Sequence, residues 1–175
     1  MAKIIAVFGS SQSKEGSKNY EQARRLGSLL ARKGFTVANG GYSGVMEASA
    51  RGAREGGGKS IGVTVKTFRS KANPYITEEL PMSTWQERVF KLMNLADGYV
   101  ILEGGTGTLV ELALSWEMAN KRLGPSKPIV VLGDCFKETV KFLVETNPYI
   151  AKADKLQLAP SPEGAVDILA DASGD

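Results

Sequence analysis

The sequence predicts an α/β fold in which a mainly parallel sheet is covered by helices on both faces. Short apolar runs such as Lys3–Phe8 and Ser60–Val65 alternate with segments whose apolar residues recur at helical spacing. Near-continuous apolar runs are typical of strands buried in a parallel sheet, and this alternation favours right-handed crossovers. The 175 residues are enough for one domain with a substantial core.

The elements can be assigned in order along the chain. Strands are predicted at Lys3–Phe8, Phe35–Ala38, Ser60–Val65, Tyr99–Leu102, Pro128–Leu132 and Leu156–Leu158. Helices are predicted over residues 17–33, 44–55, 84–96, 107–121, 136–147 and 161–170. Ser17, the Thr84/Glu87 pair and Ser161 are candidate helix N-caps.

Two stretches carry no regular pattern. Lys66–Pro81 predicts an irregular connection with room for a short strand near residues 75–77, and a flap over a ligand is the functional alternative. Residues 172–175 predict a disordered tail. We therefore expect a single domain over residues 1–171.

Composition excludes several function classes. The chain contains no histidine, so Ser-His-Asp catalysis, Cys-His catalysis and His-ligated metal sites are excluded, and we expect neither metal nor cofactor. The net charge is only +3 and no basic run is interleaved with aromatic residues, so a nucleic-acid partner is not expected.

The single cysteine and the first residues predict the compartment. Cys135 cannot form an intramolecular disulfide and fits a reducing compartment. We expect it to be a small buried side chain, although a helix start would also favour its thiolate. The chain moves from Met1 directly into a strand, with no signal-peptide pattern and no membrane span, which predicts a cytoplasmic protein without a membrane partner.

The stretch 96–111 is the strongest candidate for a functional site. A buried strand ends in a glycine turn, and a helix begins at Thr106 or Thr108. Glycines let the main chain approach a phosphate, while first-turn amides and the helix dipole favour an anion. The two threonines could cap the helix or donate a hydroxyl to the phosphate. The phosphate-binding candidates are Gly104, Gly105, Thr106, Gly107 and Thr108.

Glu111 lies one turn further into the same helix. A carboxylate near a helix N-terminus commonly compensates the dipole, which is one reading. The other reading is a carboxylate aimed at the sugar of a bound sugar phosphate rather than at the phosphate. Spacing alone slightly favours dipole compensation.

Two more turns follow predicted strands and extend the candidate site. Ligands of open α/β sheets gather beyond the carboxyl ends of the strands, so turns from neighbouring strands would converge on one crevice. The serines of the first turn could bind phosphate or base, or serve only as turn and cap residues. The candidates are Gly9, Ser10 and Ser11 after the first strand, and Gly40, Gly41, Gly44 and Met46 after the second.

These motifs together resemble the Lonely Guy (LOG) family, long labelled lysine decarboxylase-like. The shared features are the serine turn, the string Gly40-Gly41-Tyr42-Ser43-Gly44-Val45-Met46, the helix arginine Arg88, and the string Gly104-Gly105-Thr106-Gly107-Thr108 followed by Glu111. The resemblance covers nearly the whole chain. On its helix, Arg88 shares a face with Lys91, a pattern that is usually solvated.

The resemblance implies a Rossmann-like three-layer sandwich that forms a homodimer. It also implies hydrolysis of the N-glycosidic bond of a purine nucleoside 5′-monophosphate, with or without an N6 substituent, to free base and ribose 5-phosphate. By the same analogy, Arg88 and Glu111 match the catalytic pair, and the turn 104–108 holds the phosphate. A carboxylate can stabilise or attack an oxocarbenium-like carbon or activate water there.

The chain departs from the family pattern in three places that bear on function, one of which is the segment Trp85-Gln86-Glu87 before Arg88, which lacks the Met-His of the plant-type enzymes. Glu103 stands where the motif has proline, which places a negative charge near the proposed phosphate, and Val89 stands where lysine usually follows the arginine. These departures leave a second hypothesis open. It is a non-catalytic carrier of a phosphorylated ligand, similar to molybdenum-cofactor carrier proteins. A dinucleotide oxidoreductase is disfavoured because the G-x-G-x-x-G spacing is absent.

Overall fold

A computed structural model describes residues 2–150 and 155–172 and shows a three-layer α/β sandwich of the Rossmann-like type. Within these residues, the strands of the single sheet are β1 (Ile4–Phe8), β2 (Thr36–Asn39), β3 (Ser60–Val65), β4 (Glu78–Met82), β5 (Gly98–Ile101), β6 (Ile129–Val131) and β7 (Leu156–Leu158). The helices are α1 (Lys18–Arg32), α2 (Val45–Glu55), α3 (Trp85–Leu95), α4 (Thr106–Asn120), α5 (Asp134–Thr146) and α6 (Pro162–Asp171). The predicted fold class is confirmed.

The strand order brings the three predicted turns together. The sheet runs β4-β3-β2-β1-β5-β6-β7 and every pairing is parallel. Strand β1 lies between β2 and β5, with Ala6 opposite both Ala38 and Tyr99. Because parallel neighbours end at the same edge, the turns after β1, β2 and β5 are adjacent.

Each face of the sheet carries its own helical layer. Helices α1, α2 and α6 bury residues such as Leu26, Ala53 and Leu169 in one core cluster. Helices α3, α4 and α5 bury Leu92, Trp116 and other apolar residues in a second cluster on the opposite face. Among the described residues, no helix has the length and apolar character needed to cross a membrane.

The predicted helix caps are present. The Ser17 hydroxyl accepts from the Tyr20 amide, and the Ser161 hydroxyl accepts from the Gly164 amide. Thr84 and Glu87 form a complete capping box at the start of α3. The predicted disordered tail lies outside the described residues except for Ala172, which forms the C-cap of α6.

Two expectations were wrong. The segment predicted as irregular up to Pro81 ends in strand β4, which pairs with β3 along the sheet edge. An edge strand tolerates charge and proline, so Glu78, Glu79 and Pro81 gave no apolar pattern. Cys135 is exposed rather than buried, because the next residue, Phe136, takes the inward position on α5.

Candidate active site

A cleft of about 1100 Å³ opens where β1, β2 and β5 end. Its walls contain most of the residues that the sequence singled out. They are Gly9, Ser10, Ser11, Gly40, Met46, Arg88, Gly104, Gly105, Thr106, Gly107, Thr108 and Glu111. Gly41 and Gly44, which were also predicted, do not line the cleft.

Gly41 and Gly44 shape the turn instead. Gly44 has φ 70°, and a side chain there would overlap the Ser10 carbonyl, which accepts a 2.9 Å hydrogen bond from the Val45 amide. Gly41 has φ 79°, and its amide donates to the Asn39 side chain at 2.8 Å. Left-handed backbone and close approach at these positions require glycine. They therefore set the position of the turn without facing the cleft.

The start of α4 is open to the cleft. Its N-cap is Gly105 and no side chain caps it, so the expected capping by Thr106 or Thr108 is absent. The Thr108 side chain is buried against Gly104. The first amides of a helix have no intrahelical acceptor. The exposed turn at 105–107 thus presents the unpaired amides that an anion would accept.

Arg88 is buried, which corrects the expectation of a solvated side chain. Only 7% of the residue is exposed, and its Nε donates to the Val63 carbonyl at 2.8 Å. Its guanidinium carbon lies 5.7 Å from the centre of the Tyr42 ring, and one terminal nitrogen lies 3.7 Å from the Met46 sulfur. Burial lowers the pKa of Arg88, and the charge of Glu111 opposes that shift.

Gly40 makes room for this arginine. A side chain at position 40 would overlap the Arg88 guanidinium and crowd the Met46 sulfur. Gly40 does not have a positive φ, so its role is close approach rather than turn geometry. The glycine turn after β2 therefore determines where the cation on α3 lies.

Glu111 carries a strongly perturbed carboxyl group in the same cleft. Burial raises its pKa to about 7, although the positive charge of Arg88 acts in the opposite direction. The two side chains attract one another without forming an ion pair within 4.0 Å. A carboxyl group with a pKa near neutrality can exchange a proton or act as an ionised base at physiological pH. Simple dipole compensation at an exposed helix start would not require this burial.

The residues that depart from the family pattern have structural roles here. The Glu103 carboxylate accepts from the Cys135 amide at 2.8 Å and so satisfies the start of α5, whose N-cap Gly133 provides no side-chain bond. The Glu103 carbonyl accepts from the Ser10 amide at 2.8 Å. Val89 is buried in the layer of α3. The negative charge of Glu103 therefore lies at the N-terminus of α5, where it accepts a main-chain hydrogen bond.

Sequence reasoning missed the aromatic residues of the cleft. Tyr42, Phe68 and Trp85 all line it. Phe68 lies in the segment that was predicted as irregular, and Trp85 follows a cap residue, so neither stood out by spacing. Within residues 2–150 and 155–172, no three acidic or thiol side chains converge as a metal site.

Comparisons with known proteins agree with this architecture. Over 116 residues, the chain is 34% identical to a cytokinin riboside 5′-monophosphate phosphoribohydrolase of Mycobacterium tuberculosis, covering 64% of this chain and 61% of that protein. A probable enzyme of the same name from rice is 33% identical over 117 residues, covering 64% of this chain and 52% of that protein. The chain thus spans between half and two thirds of these relatives.

A solved structure is similar over the full length. The molybdenum cofactor carrier protein of Chlamydomonas reinhardtii superposes with a TM-score of 0.80 at 25% identity, covering 100% of both chains. The resemblance to the LOG family and to molybdenum-cofactor carriers is thereby confirmed. The model of the SLOG cluster4 family matches residues 2–160, and the chain belongs to that family.

Proposed function

We propose that this protein hydrolyses the N-glycosidic bond of a purine nucleoside 5′-monophosphate, N6-modified or not, and releases free base and ribose 5-phosphate. One observation carries the proposal. A glutamate with a pKa near 7 and a buried arginine line the same cleft as an uncapped helix start. Two relatives that bear this activity in their names support it.

The phosphate is assigned to the start of α4. The amides of residues 105–108 and the helix dipole would hold its charge, with the Ser10 and Ser11 turn lining the same cleft. Because the phosphate fixes one end of the ligand, the sugar would lie deeper, towards Glu111 and Arg88. This arrangement separates the group that binds from the group that reacts.

Glu111 is assigned to the reacting carbon. In its ionised form, the carboxylate would stabilise or attack the anomeric carbon as the bond to the base breaks, or take a proton from the water that adds there. The bonding electrons leave with the base, which gains one proton of the added water, and the hydroxyl of that water completes ribose 5-phosphate. Where the carboxylate itself has attacked, the same water cleaves the sugar–carboxylate ester and frees Glu111. Arg88 favours the ionised form of Glu111 electrostatically, and its buried contacts with Val63 and Tyr42 hold it in place.

The test measures release of base. Wild-type protein is incubated with AMP and N6-substituted AMPs, and free base and ribose 5-phosphate are separated by chromatography. Glu111→Gln is expected to lower the rate by about 10²–10⁴-fold while AMP affinity changes little. Glu117→Gln, an exposed change on the same helix, is the matched control. Folded wild-type protein that releases no base from any purine monophosphate would contradict the proposal.

A second candidate function is a carrier of a phosphorylated ligand such as molybdenum cofactor or a nucleotide. The observation in its favour is coverage: the carrier structure matches this chain end to end, whereas the named hydrolases match in part. Tight binding of a phosphorylated pterin or nucleotide that survives Glu111→Gln, without turnover in the wild type, would replace the hydrolase with the carrier.

We further propose a cytoplasmic homodimer that does not act on nucleic acid. Phe90 on α3 and Leu109 and Val110 on α4 are each more than 40% exposed, and these helices belong to the same layer. Exposed apolar residues on neighbouring helices are suited to contact with a second copy. Light scattering during gel filtration measures the molar mass in solution, and the mass of a monomer would contradict the proposed dimer. Titration with single-stranded DNA tests the proposal that the protein does not act on nucleic acid, and binding of the DNA would refute it.

A further inference from the structure

We infer that Phe68 and Trp85 form the recognition site for a planar, nitrogen-containing ring on the ligand. Both side chains line the cleft, yet they are 46% and 40% exposed. Large aromatic side chains that remain exposed inside a concave site are typical of surfaces that a ligand covers. The inference rests on the proposed function only in that the ligand is a phosphorylated compound bound in this cleft.

A fixed inner wall supports Phe68. The Tyr42 hydroxyl accepts from the Val65 amide at 2.8 Å, and its ring lies against the Arg88 guanidinium. The Phe68 ring packs on Tyr42 with ring centres 5.8 Å apart and an angle of 33° between the planes. One side of Phe68 is therefore held by protein while the rest of the ring is open.

Trp85 reaches the cleft from α3. It stands three residues before Arg88, a spacing that places both side chains on the same face of the helix. The capping box of Thr84 and Glu87 fixes the start of this helix and hence the position of Trp85. The cleft thus takes aromatic side chains from Phe68 and from Trp85 of α3, whereas the amide-rich helix start and Glu111 come from α4.

This arrangement predicts which part of the ligand each region of the cleft contacts. The amides at 105–108 carry no aromatic surface and suit a phosphate. The two rings suit the π-face of a purine or of a pterin, because stacking on an aromatic side chain tolerates any planar base. Segment 66–77 through Phe68, and α3 through Trp85, then add affinity for ligands that carry a ring over ligands that lack one.

The experiment compares ligands with and without the ring. Binding of AMP, of a phosphorylated pterin and of ribose 5-phosphate is measured by calorimetry in the Glu111→Gln background, so that AMP is not consumed. Phe68→Ala and Trp85→Ala are expected to weaken binding of the ring-bearing ligand by roughly 5- to 100-fold and to leave ribose 5-phosphate affinity within about twofold. Whichever of AMP and the phosphorylated pterin binds more tightly identifies the preferred ring as a purine or a pterin.

Matched variants separate stacking from folding. Phe68→Leu keeps apolar contact with Tyr42 but removes the ring, and Phe142→Ala removes an exposed phenylalanine of α5 that is outside the cleft. Phe68→Leu should behave like Phe68→Ala, and Phe142→Ala like the parent. Trp85→Phe should remove the change in tryptophan fluorescence on ring binding while the emission of buried Trp116 remains.

The outcomes are decisive in either direction. Equal weakening of all ligands, unchanged affinity for the ring-bearing ligands, or no binding of either ring-bearing ligand by the parent protein would overturn the inference. Selective weakening in a protein that never releases base would uphold the aromatic site and refute the hydrolase. The two proposals therefore fail by different results.

Discussion

Two glutamates on opposite helical layers show how differently the molecule treats the same side chain. Glu55 on α2 accepts two 2.8 Å hydrogen bonds from Arg24, and this contact lowers its pKa. Glu111 on α4 is drawn only electrostatically to Arg88, and burial raises its pKa. The first carboxylate is solvated and paired, whereas the second is kept desolvated beside a cleft.

The same contrast extends to the glycines of the two layers. At the crossing of α1 and α2, side chains at Gly27 or Gly52 would overlap the backbone of the facing helix. Near the cleft, Gly107 has open space around it, and Gly40 makes room for a cation. The crossing of α1 and α2 thus uses glycine for close packing, whereas the cleft uses it to form a site. A buried charge without a close partner lowers the stability of the folded protein. The comparison of the two regions can be tested by changing residues of each kind.

The largest effect is expected from Gly40→Ala. The added methyl overlaps the Arg88 guanidinium, so the cation must shift from its position beside Gly40. Misplacement of a positioning group by about an ångström can lower a rate about 10²-fold, and we expect at least that loss in kcat/KM. Base release by a variant with a normal circular dichroism spectrum is the measurement. Glu117→Gln, the exposed change on α4 outside the cleft, is the control and should retain activity. Unaltered turnover in Gly40→Ala would show that Arg88 has no part in the reaction.

The next largest effect is expected on the packed layer. Gly52→Ala places a methyl against the Arg24 carbonyl of α1, and overpacking should lower the free energy of unfolding by about 2–3 kcal/mol. Urea denaturation measures this value. Arg54→Ala, on an exposed position of the same helix, should change stability by less than about 0.5 kcal/mol. If both variants had the same stability, the close contact of α1 and α2 would be unimportant.

The turns, the helix caps and Arg88 show what the sequence could and could not predict. The turns and caps could be predicted from the sequence, because glycine strings, Ser17 and the Thr84/Glu87 pair act within a few residues of their own position. The burial of Arg88 could not be read in this way, since it depends on Gly40 and Met46, which come from a different turn. Helical spacing alone made Arg88 look solvated. Strand β4 was missed because an edge position replaces the apolar pattern with charge.

A smaller effect concerns the pH dependence of stability. The pKa of Glu111 is about 7 in the folded protein, above its ordinary unfolded value of about 4.3. The folded state therefore holds a proton that the unfolded state releases, so stability is greatest below that unfolded value and falls as pH rises towards 7. Between pH 5 and 8, the wild type should lose about 1–3 kcal/mol relative to Glu111→Gln.

Urea denaturation of both proteins at the two pH values measures this difference. Glu55→Gln serves as the contrasting variant from the other layer. The pKa of Glu55 is lowered, so its contribution is present at neutral pH and disappears only in acid. A constant difference between wild type and Glu111→Gln across pH 5–8 would mean that the carboxylate of Glu111 is not desolvated.

The smallest effect is expected from Gly107→Ala, and it has opposite signs for stability and binding. Gly107 is in the first turn of α4 with nothing within 4 Å of an added methyl, and alanine is the better helix former by about 0.5–1 kcal/mol. The variant should therefore unfold at slightly higher urea concentration. If phosphate lies against the first-turn amides, the same methyl should weaken binding of ribose 5-phosphate by roughly tenfold, about 1.4 kcal/mol. A stabilised variant with unchanged affinity would place the phosphate elsewhere in the cleft. Gly52→Ala should lower stability and leave the affinity for ribose 5-phosphate unchanged, because its contact with α1 lies outside the cleft. Substitutions of a packing glycine and of a cleft glycine should therefore be distinguishable by these two measurements.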